Sequence, residues 1–262
     1  MEVAGLASVD WSVPWLKPFA GVGQAVSAHR DWRRSLNEKA AAGDVCNFKG
    51  KRLVFCEPDV TDEPYETGIA RTARVPTRAN LHDFFNALIF LHLPEAKARL
   101  NQLQSVAIMR DGVGAVRGSV RDAATLIDEN GALVVTERAD IVKALRAHDW
   151  ASLFKDRRAA WRTEVDVIVF GHALLQKLVQ PYKAITAHAF HVALPPGSPI
   201  QAIDHQMAAT LDERLSSVDL MPLPVLGIPS WWKQNENPDF YSDHAVFRPA
   251  KMRRDRKAEM DS

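Results

Sequence analysis

The chain has 262 residues, of which 47% are hydrophobic and 25% charged, a composition typical of a globular protein rather than a disordered or fibrous one. With 33 basic and 32 acidic residues the formal net charge is +1, so the overall charge gives no argument for binding nucleic acid or an anionic membrane. The two cysteines, Cys46 and Cys56, form no CxxC pair, which excludes a cysteine-based zinc site and makes a reducing, cytoplasmic compartment the simplest expectation.

The N-terminal stretch predicts helices that pack on a larger body. Residues 11–43 are expected to form one or two helices, within a helical part that spans 1–45. The start of the chain lacks the features of a signal peptide, and no segment reaches the ~18 apolar residues of a membrane helix, so we expect no membrane contact. A short strand is expected at 53–56, and 57–70 is expected to be a loop because two prolines interrupt it.

The clearest helix is expected from about residue 80 to residue 93. From Leu81 onward its apolar residues follow the i, i+3, i+4, i+7 spacing, and most of the remaining positions are apolar too. A helix that is apolar on almost every side is normally buried. We therefore predict that this helix lies in the middle of the domain and that Pro94 separates it from a second helix at 95–109.

The Asn130-Gly131 pair is the strongest hairpin signal in the chain, because both residue types tolerate a positive φ. The two strands of this hairpin would be residues 124–129 and 132–136. The acidic Asp128 and Glu129 invite interpretation as metal ligands, but a hairpin turn explains them without a metal.

A strand–helix–strand unit is expected over residues 165–193, from the segments VDVIVF, GHALLQKLVQ and KAITAHAFHVAL. The crossover is short, so parallel neighbours and an antiparallel or non-adjacent arrangement are both open. An amphipathic helix is predicted at 200–218. Residues 221–249 contain five prolines and are expected to wrap over the domain in extended form, whereas 251–262 are expected to form a disordered, charged tail.

Together these elements predict an α+β fold in one globular domain over residues 1–250. Its expected parts are a modest mixed β-sheet, a β-hairpin, one strand–helix–strand unit, a buried central helix and a proline-rich C-terminal wrap. No internal repeat or linker divides the chain.

Two polar residues in the first turns of the central helix, His82 and Asp83, are candidates for a functional site. Histidine titrates near neutral pH, and a neighbouring carboxylate can assist it in acid–base catalysis or metal binding. A structural interpretation is open as well: if Asn80 caps the helix, Asp83 lies at position N3 and can reach back to the cap. An adjacent His-Asp pair also occurs in the HD phosphohydrolases, but their nearly all-helical fold disagrees with the strands predicted here.

Three arginines, Arg71, Arg74 and Arg78, precede this helix. Guanidinium groups bind phosphate and carboxylate in bidentate fashion, so these residues could clamp an anionic substrate. The alternative is surface ion pairing. The acidic partners for such pairs lie just upstream and are Glu57, Asp59, Asp62, Glu63 and Glu66.

His172 follows the strand VDVIVF and opens a helix, where the positive helix end favours the neutral imidazole. The position is also close to the crevice in which α/β units bind ligands. His188 and His191 lie in the next strand. A cluster of His172 with one of them, completed from the central helix, could hold a divalent metal, although the sequence names no cofactor. The alternative is that these histidines are hydrogen-bonded core residues.

Two functional hypotheses follow from these residues. The first is a hydrolase-like enzyme that acts on a small anionic substrate. Its proton-transfer residues would be His82, Asp83, His172 and His188, and its substrate-binding residues Arg71, Arg74, Arg78 and Asn86. The second is a non-catalytic binding or assembly protein whose arginine segment and aromatic C-terminal part recognise a protein or nucleic acid. The near-neutral charge makes nucleic acid the weaker of these partners.

Several segments are distinctive in combination: RVPTRANLHDFFNALIFLHLPEAKARLN, RDAATLIDENGALVV, GHALLQKLVQPYKAITAHA, and LPVLGIPSWW followed by NPDFYSDHAVFRP. In this order they resemble the bacterial domain-of-unknown-function family 3025 over roughly residues 50–250. The resemblance assigns no activity and no catalytic residues. In that family the GHALL segment usually continues with Glu where this chain has Gln176, so a histidine–carboxylate pair on this helix is missing here.

Overall fold

The secondary structure is that of a computed structural model, which describes residues 2–59, 63–112 and 118–250. The helices of this part are α1 (Ala20–Ser27), α2 (Trp32–Ala42), α3 (Tyr65–Thr72), α4 (Leu81–His92), α5 (Pro94–Asp111), α6 (Ser119–Asn130), α7 (Ala139–Arg146), α8 (His172–Lys177) and α9 (Ile200–Thr210). The strands are β1 (Val54–Cys56), β2 (Arg74–Pro76), β3 (Gly131–Val135), β4 (Asp166–Val169), β5 (Thr186–Val192) and β6 (Met221–Pro224). No helix of the described residues is long and apolar enough to cross a membrane.

The main sheet has four strands in the order β4-β3-β5-β6, and a separate parallel pair joins β1 to β2. Strand β3 is buried at every position, as suits its central place in the sheet. It is antiparallel to β4 and parallel to β5, and β5 is antiparallel to β6. The mixed sheet is therefore confirmed. The strand–helix–strand unit β4–α8–β5 has the non-adjacent arrangement, because β3 lies between its two strands.

The predicted hairpin is wrong. Residues 124–129 belong to helix α6, which passes directly into β3. Ala123, Ala124 and Ile127 have helical spacing and are fully buried, so tertiary packing favours the helix. Gly131 has φ −75° and ψ 148°, which is extended backbone and not the positive φ that the hairpin turn requires. Asn130 and Gly131 thus end a helix and begin a strand.

Other boundaries differ less. Helix α3 begins inside the segment expected to be loop, directly after Pro64, whose fixed φ suits the residue that precedes a helix. Helix α9 ends at Thr210, well before the expected end. The proline-rich segment contributes strand β6 and then continues in short 3-10 turns rather than a fully extended wrap. The tail 251–262, expected to be disordered, and residues 113–117 between α5 and α6 lie outside the described residues.

The central helix is buried as predicted. In α4 every residue from Asp83 to Phe90 is buried, and the helix packs against α8, α5 and α2. Its N-cap is Asn80, whose Oδ1 accepts a hydrogen bond of 2.8 Å from the backbone N–H of Asp83. The apolar core around it is continuous from Val3 to Phe247. Helix α4 therefore places its first turn, with two titratable residues, in a rigid position.

Candidate functional site

A cavity of about 430 Å³ opens where α3, the first turns of α4, the end of α6 and the start of α8 meet. A tight backbone approach fixes the last two elements relative to each other. The N–H of Gly171 donates to the carbonyl of Gly131 over 2.8 Å, and a Cβ on Gly171 would lie 2.5 Å from the carbonyl oxygen of Glu129. The residues that line the cavity are Pro58, Tyr65, Glu66, Pro76, Arg78, His82, Asp83, Asn86, Asp128, Glu129 and His172.

Two histidines from different helices face each other in this cavity. The Nε2 atoms of His82 and His172 are 3.1 Å apart, and the rings meet edge to face at an interplanar angle of 80°. Glu129 adds a carboxylate, with its Oε2 atom 3.5 Å from the Nε2 atom of His172. One ligand atom of each residue lies within 4.8 Å of the other two. The three side chains therefore converge on one point at the cavity wall.

His172 is the most enclosed member of this cluster, with only 4% of its surface exposed. Burial lowers the pKa of its imidazole to about 4, despite the nearby Asp128 carboxylate, so the ring is neutral at neutral pH. Its Nδ1 atom is buried without a hydrogen-bond partner, and the nearest carboxylate oxygen, Oδ2 of Asp128, is 3.9 Å away. Burial and the charge of Asp128 also raise the pKa of Glu129.

A chain of hydrogen-bonded polar residues lies behind the histidines. Lys97 Nζ donates to Oδ1 of Asn86 over 2.8 Å and to Oδ1 of Asp128. Asn86 Nδ2 in turn donates to the hydroxyl of Tyr65 over 3.0 Å. Burial is the largest single influence and would raise the pKa of Asp128, but the charge and hydrogen bond of Lys97 together with the two nearby histidines outweigh it, so the pKa lies below the usual value. Asp128 is therefore a fixed carboxylate beside His172.

Glu66 faces the same cavity from α3. Burial raises the pKa of its carboxyl to about 7, and the charge of Asp128 adds to the effect. Nδ2 of Asn101 donates to Oε2 of Glu66 over 2.8 Å and holds the carboxyl in place. A carboxyl group with this pKa can donate or accept a proton near neutral pH.

Asp83 is tied to Arg78. Its carboxylate accepts hydrogen bonds from Nε and Nη2 of Arg78, at 2.9 and 3.0 Å, and from the backbone N–H of the same residue at 2.7 Å. Asp83 thus reaches back past the cap Asn80 to hold the loop before α4. The arginine is 65% exposed and stands at the mouth of the cavity.

The structure brings five of the predicted site residues to this cavity, and they are His82, Asp83, Asn86, Arg78 and His172. It does not bring the other three. His188 lies on β5 opposite Gly131 and Pro222 and is not among the residues that line the cavity. Arg71 pairs with Glu63 at 2.7 Å and Arg74 with Asp59 at 3.8 Å, as the ion-pair alternative expected.

Sequence reasoning missed four charged residues of the site: Glu66, Lys97, Asp128 and Glu129. Asp128 and Glu129 were assigned to a hairpin turn, whereas they occupy the last turn of α6. A usable signal existed there, because the helical spacing of the apolar residues in 123–127 continues up to them. Glu66 and Lys97 look like ordinary surface charges in the sequence, and only tertiary packing buries them.

A search of curated proteins gives no significant match, and neither does a search of solved structures. The chain does match the sequence profile of DUF3025, a family described as proteins of unknown function, over residues 54–251. The match confirms the resemblance seen in the sequence. It spans more than half of the chain and includes every residue that lines the cavity. The chain therefore belongs to the DUF3025 family.

Proposed function

We propose that this protein is a hydrolase that acts on a small anionic substrate in the cavity between α3, α4, α6 and α8. One observation carries the proposal: the Nε2 atoms of His82 and His172, 3.1 Å apart, meet the Glu129 carboxylate at the wall of a cavity large enough for a small molecule. Imidazole and carboxylate groups in such an arrangement position a water molecule and remove its proton. Hydrolysis needs no organic cofactor, and the sequence contains no motif for one.

The groups of the cavity divide into two roles. The cluster of His82, His172 and Glu129 holds the water and activates it. The water oxygen attacks the carbonyl carbon or phosphorus of the substrate, and the bond to the leaving oxygen breaks. Glu66 gives its proton to that oxygen, since a pKa of about 7 keeps much of its carboxyl protonated at neutral pH. The hydroxide of the water thus ends on the acyl or phosphoryl group and a proton on the leaving group.

Arg78 supplies the positive charge at the mouth of the cavity. Two of its nitrogens hold Asp83, and its side chain remains largely exposed, so a substrate anion can approach it. Asn86 also lines the cavity. The expected clamp of three arginines is reduced to this one, because Arg71 and Arg74 lie elsewhere in ion pairs. A concave site of this size fits a small molecule better than a nucleic acid.

The cytoplasm is the compartment that we propose for this activity. Cys46 and Cys56 are both free thiols, and free thiols persist in a reducing compartment. An assay in the presence of a thiol reductant is therefore appropriate.

The proposal is tested with small chromogenic anionic esters, p-nitrophenyl phosphate and the p-nitrophenyl half-ester of a dicarboxylic acid. We expect Glu129→Gln to lower kcat by roughly 10²- to 10⁴-fold, the usual contribution of a general base. Glu66→Gln should have an effect of that size on the matching alkyl esters and a much smaller one on the nitrophenyl esters, because nitrophenolate leaves without a proton. Arg78→Ala should raise KM, whereas the matched variant Arg71→Ala should not. His188→Asn controls for loss of a histidine outside the cavity. Absence of turnover for both esters, or full activity in His82→Asn, would refute the proposed reaction.

A further inference from the structure

The charges around the cavity do not balance. Four carboxyl groups face it or lie directly behind it, those of Glu66, Asp83, Asp128 and Glu129. Their cationic partners are Arg78, which pairs with Asp83, and Lys97, which pairs with Asp128. The acidic groups without such a partner are Glu129 and Glu66, of which Glu66 is ionised only in part at neutral pH because its pKa is about 7. A substrate anion entering this cavity meets excess negative charge unless a cation is bound first.

We infer that His82, His172 and Glu129 form a binding site for one divalent zinc ion, with the two Nε2 atoms and Oε2 of Glu129 as ligands. Zinc binds imidazole nitrogen at about 2.0–2.1 Å and carboxylate oxygen at about 2.0–2.2 Å in tetrahedral geometry, which separates neighbouring ligand atoms by roughly 3.3 Å. The Nε2 atoms are 3.1 Å apart, and Oε2 of Glu129 is 3.5 Å from His172 Nε2. Two of the three separations are therefore close to an edge of such a tetrahedron, and the ligand atoms of all three residues lie within 4.8 Å of one another.

A simple hydrogen bond between the two imidazoles explains less of this arrangement. It would account for the 3.1 Å between the nitrogens, but not for a carboxylate aimed at the same point. Two nitrogen ligands and one oxygen ligand favour zinc, whereas magnesium and calcium prefer sites made of oxygen atoms alone. Three protein ligands leave a fourth position for water, as in catalytic rather than structural zinc sites.

The surroundings of His172 fit a metal ligand. Metal-binding histidines usually donate their second ring N–H to a carboxylate or carbonyl, which fixes the tautomer. The Nδ1 atom of His172 is buried without a hydrogen-bond partner and lies 3.9 Å from Oδ2 of Asp128, whose other oxygen, Oδ1, accepts a hydrogen bond from Lys97. A shift of about 1 Å would complete that hydrogen bond. The Lys97–Asp128 pair thus stands where a carboxylate can orient the ring of a metal-binding His172.

The inference deepens the proposed function, and the catalytic role of the ion rests on that function, whereas zinc binding stands by itself. A bound zinc ion would lower the pKa of its water to about 7 and supply the positive charge that an anionic substrate needs. Glu66 would remain the proton donor.

Zinc binding is measured by isothermal titration of ZnCl₂ into the full chain after treatment with EDTA, and by elemental analysis. We expect one zinc ion per chain, and a loss of affinity of at least about 10²-fold in His82→Asn and in Glu129→Gln. These positions are chosen because they are less enclosed than His172, and circular dichroism verifies that both variants fold. His188→Asn is the matched control and should bind zinc like the wild type.

Binding of cobalt in place of zinc provides a second readout, because its visible absorption reports the coordination number directly. Absence of zinc binding, or unchanged affinity in both His82→Asn and Glu129→Gln, would overturn the inference. Zinc binding without hydrolysis of the p-nitrophenyl esters would remove the proposed function and leave the metal site standing. Hydrolysis that persists in metal-free protein would leave the proposed function standing and remove the catalytic role of the ion, whereas the binding site is decided by the titration alone.

Discussion

The buried ion pair between Lys97 and Asp128 should be a major determinant of stability, and it can be tested by a double-mutant cycle. Lys97 is only 4% exposed, contacts the face of Phe90 at 4.4 Å from its ring centre and donates to Asp128 and Asn86. Lys97→Met retains the volume of the aliphatic stem and removes the charge. The variant leaves the carboxylate of Asp128 buried without its cation, the most expensive outcome for a buried pair.

The expected size follows from that unpaired charge. Removal of one partner of a buried ion pair costs about 3–5 kcal/mol, so Lys97→Met should lower the free energy of unfolding by that amount. Asp128→Asn should also destabilise, but less, because Lys97 keeps the oxygen of Asn86 and the ring of Phe90 as partners. In the double variant neither charge remains, and its loss should be smaller than the sum of the single losses by roughly 2–3 kcal/mol.

The assay is urea unfolding of the four proteins at neutral pH in buffer with EDTA, so that bound metal does not contribute. Asp212→Asn is a suitable control, because that carboxylate pairs with Arg214 at the surface, where an ion pair is worth about 1 kcal/mol or less. If the effects of Lys97→Met and Asp128→Asn add within about 0.5 kcal/mol, the two side chains are not coupled and the electrostatic reasoning fails.

Two further predictions concern the elements that hold the site. Asp204 on α9 caps the first turn of α5 by accepting hydrogen bonds from two backbone N–H groups. Burial raises the pKa of its carboxyl from 3.8 to about 6. The contribution of Asp204 to the free energy of unfolding is therefore full below the pKa of the unfolded chain, 3.8, and is lost as the pH rises through 6. The stability of the wild type relative to Asp204→Asn should therefore increase by roughly 2 kcal/mol from about pH 7 to about pH 4, and a constant difference in urea unfolding would contradict this. Gly171→Ala should cost about 1–3 kcal/mol and weaken zinc binding, because its Cβ would collide with backbone at Glu129 and displace His172. Gly21→Ala, where a Cβ meets nothing within 4 Å, is the control, and equal effects of both substitutions would contradict the steric argument.

The parts of the fold that could be predicted are those determined by local pattern. Helix α4 has a continuous apolar periodicity, the cap Asn80 at its start and Pro94 after its end, and these signals agree with one another. The junction at Asn130 and Gly131 could not be predicted in the same way. There a short-range turn signal favoured a hairpin, whereas burial of one face of α6 against α5 and α8 favoured a helix, and the larger apolar contact prevailed.

For the site, titratable residues that stand out in an apolar context could be identified. His82 in an apolar helix and His172 after a predicted buried strand are both candidates on that basis, and their Nε2 atoms lie 3.1 Å apart. Glu66 and Lys97 could not be found, because nothing local distinguishes a charged residue on a surface helix from one that another helix covers. His188 was chosen for being a histidine on a strand near His172, but residue type alone does not place a side chain in the cavity.

The topology of the sheet explains why the cluster is invisible as a sequence motif. Strands β3 and β4 are antiparallel, and Ala132 near the start of β3 pairs with Val169 at the end of β4. The residue just before β3 therefore lies beside the residue just after β4, which brings Glu129 to His172 across more than forty positions of the chain. Helix α4 packs on α8 and adds His82 from a third segment. The segments that carry Glu129 and His172 are joined through the register of β3 and β4, so backbone hydrogen bonds fix the distance between them. A side-chain substitution outside this junction therefore should not change that distance.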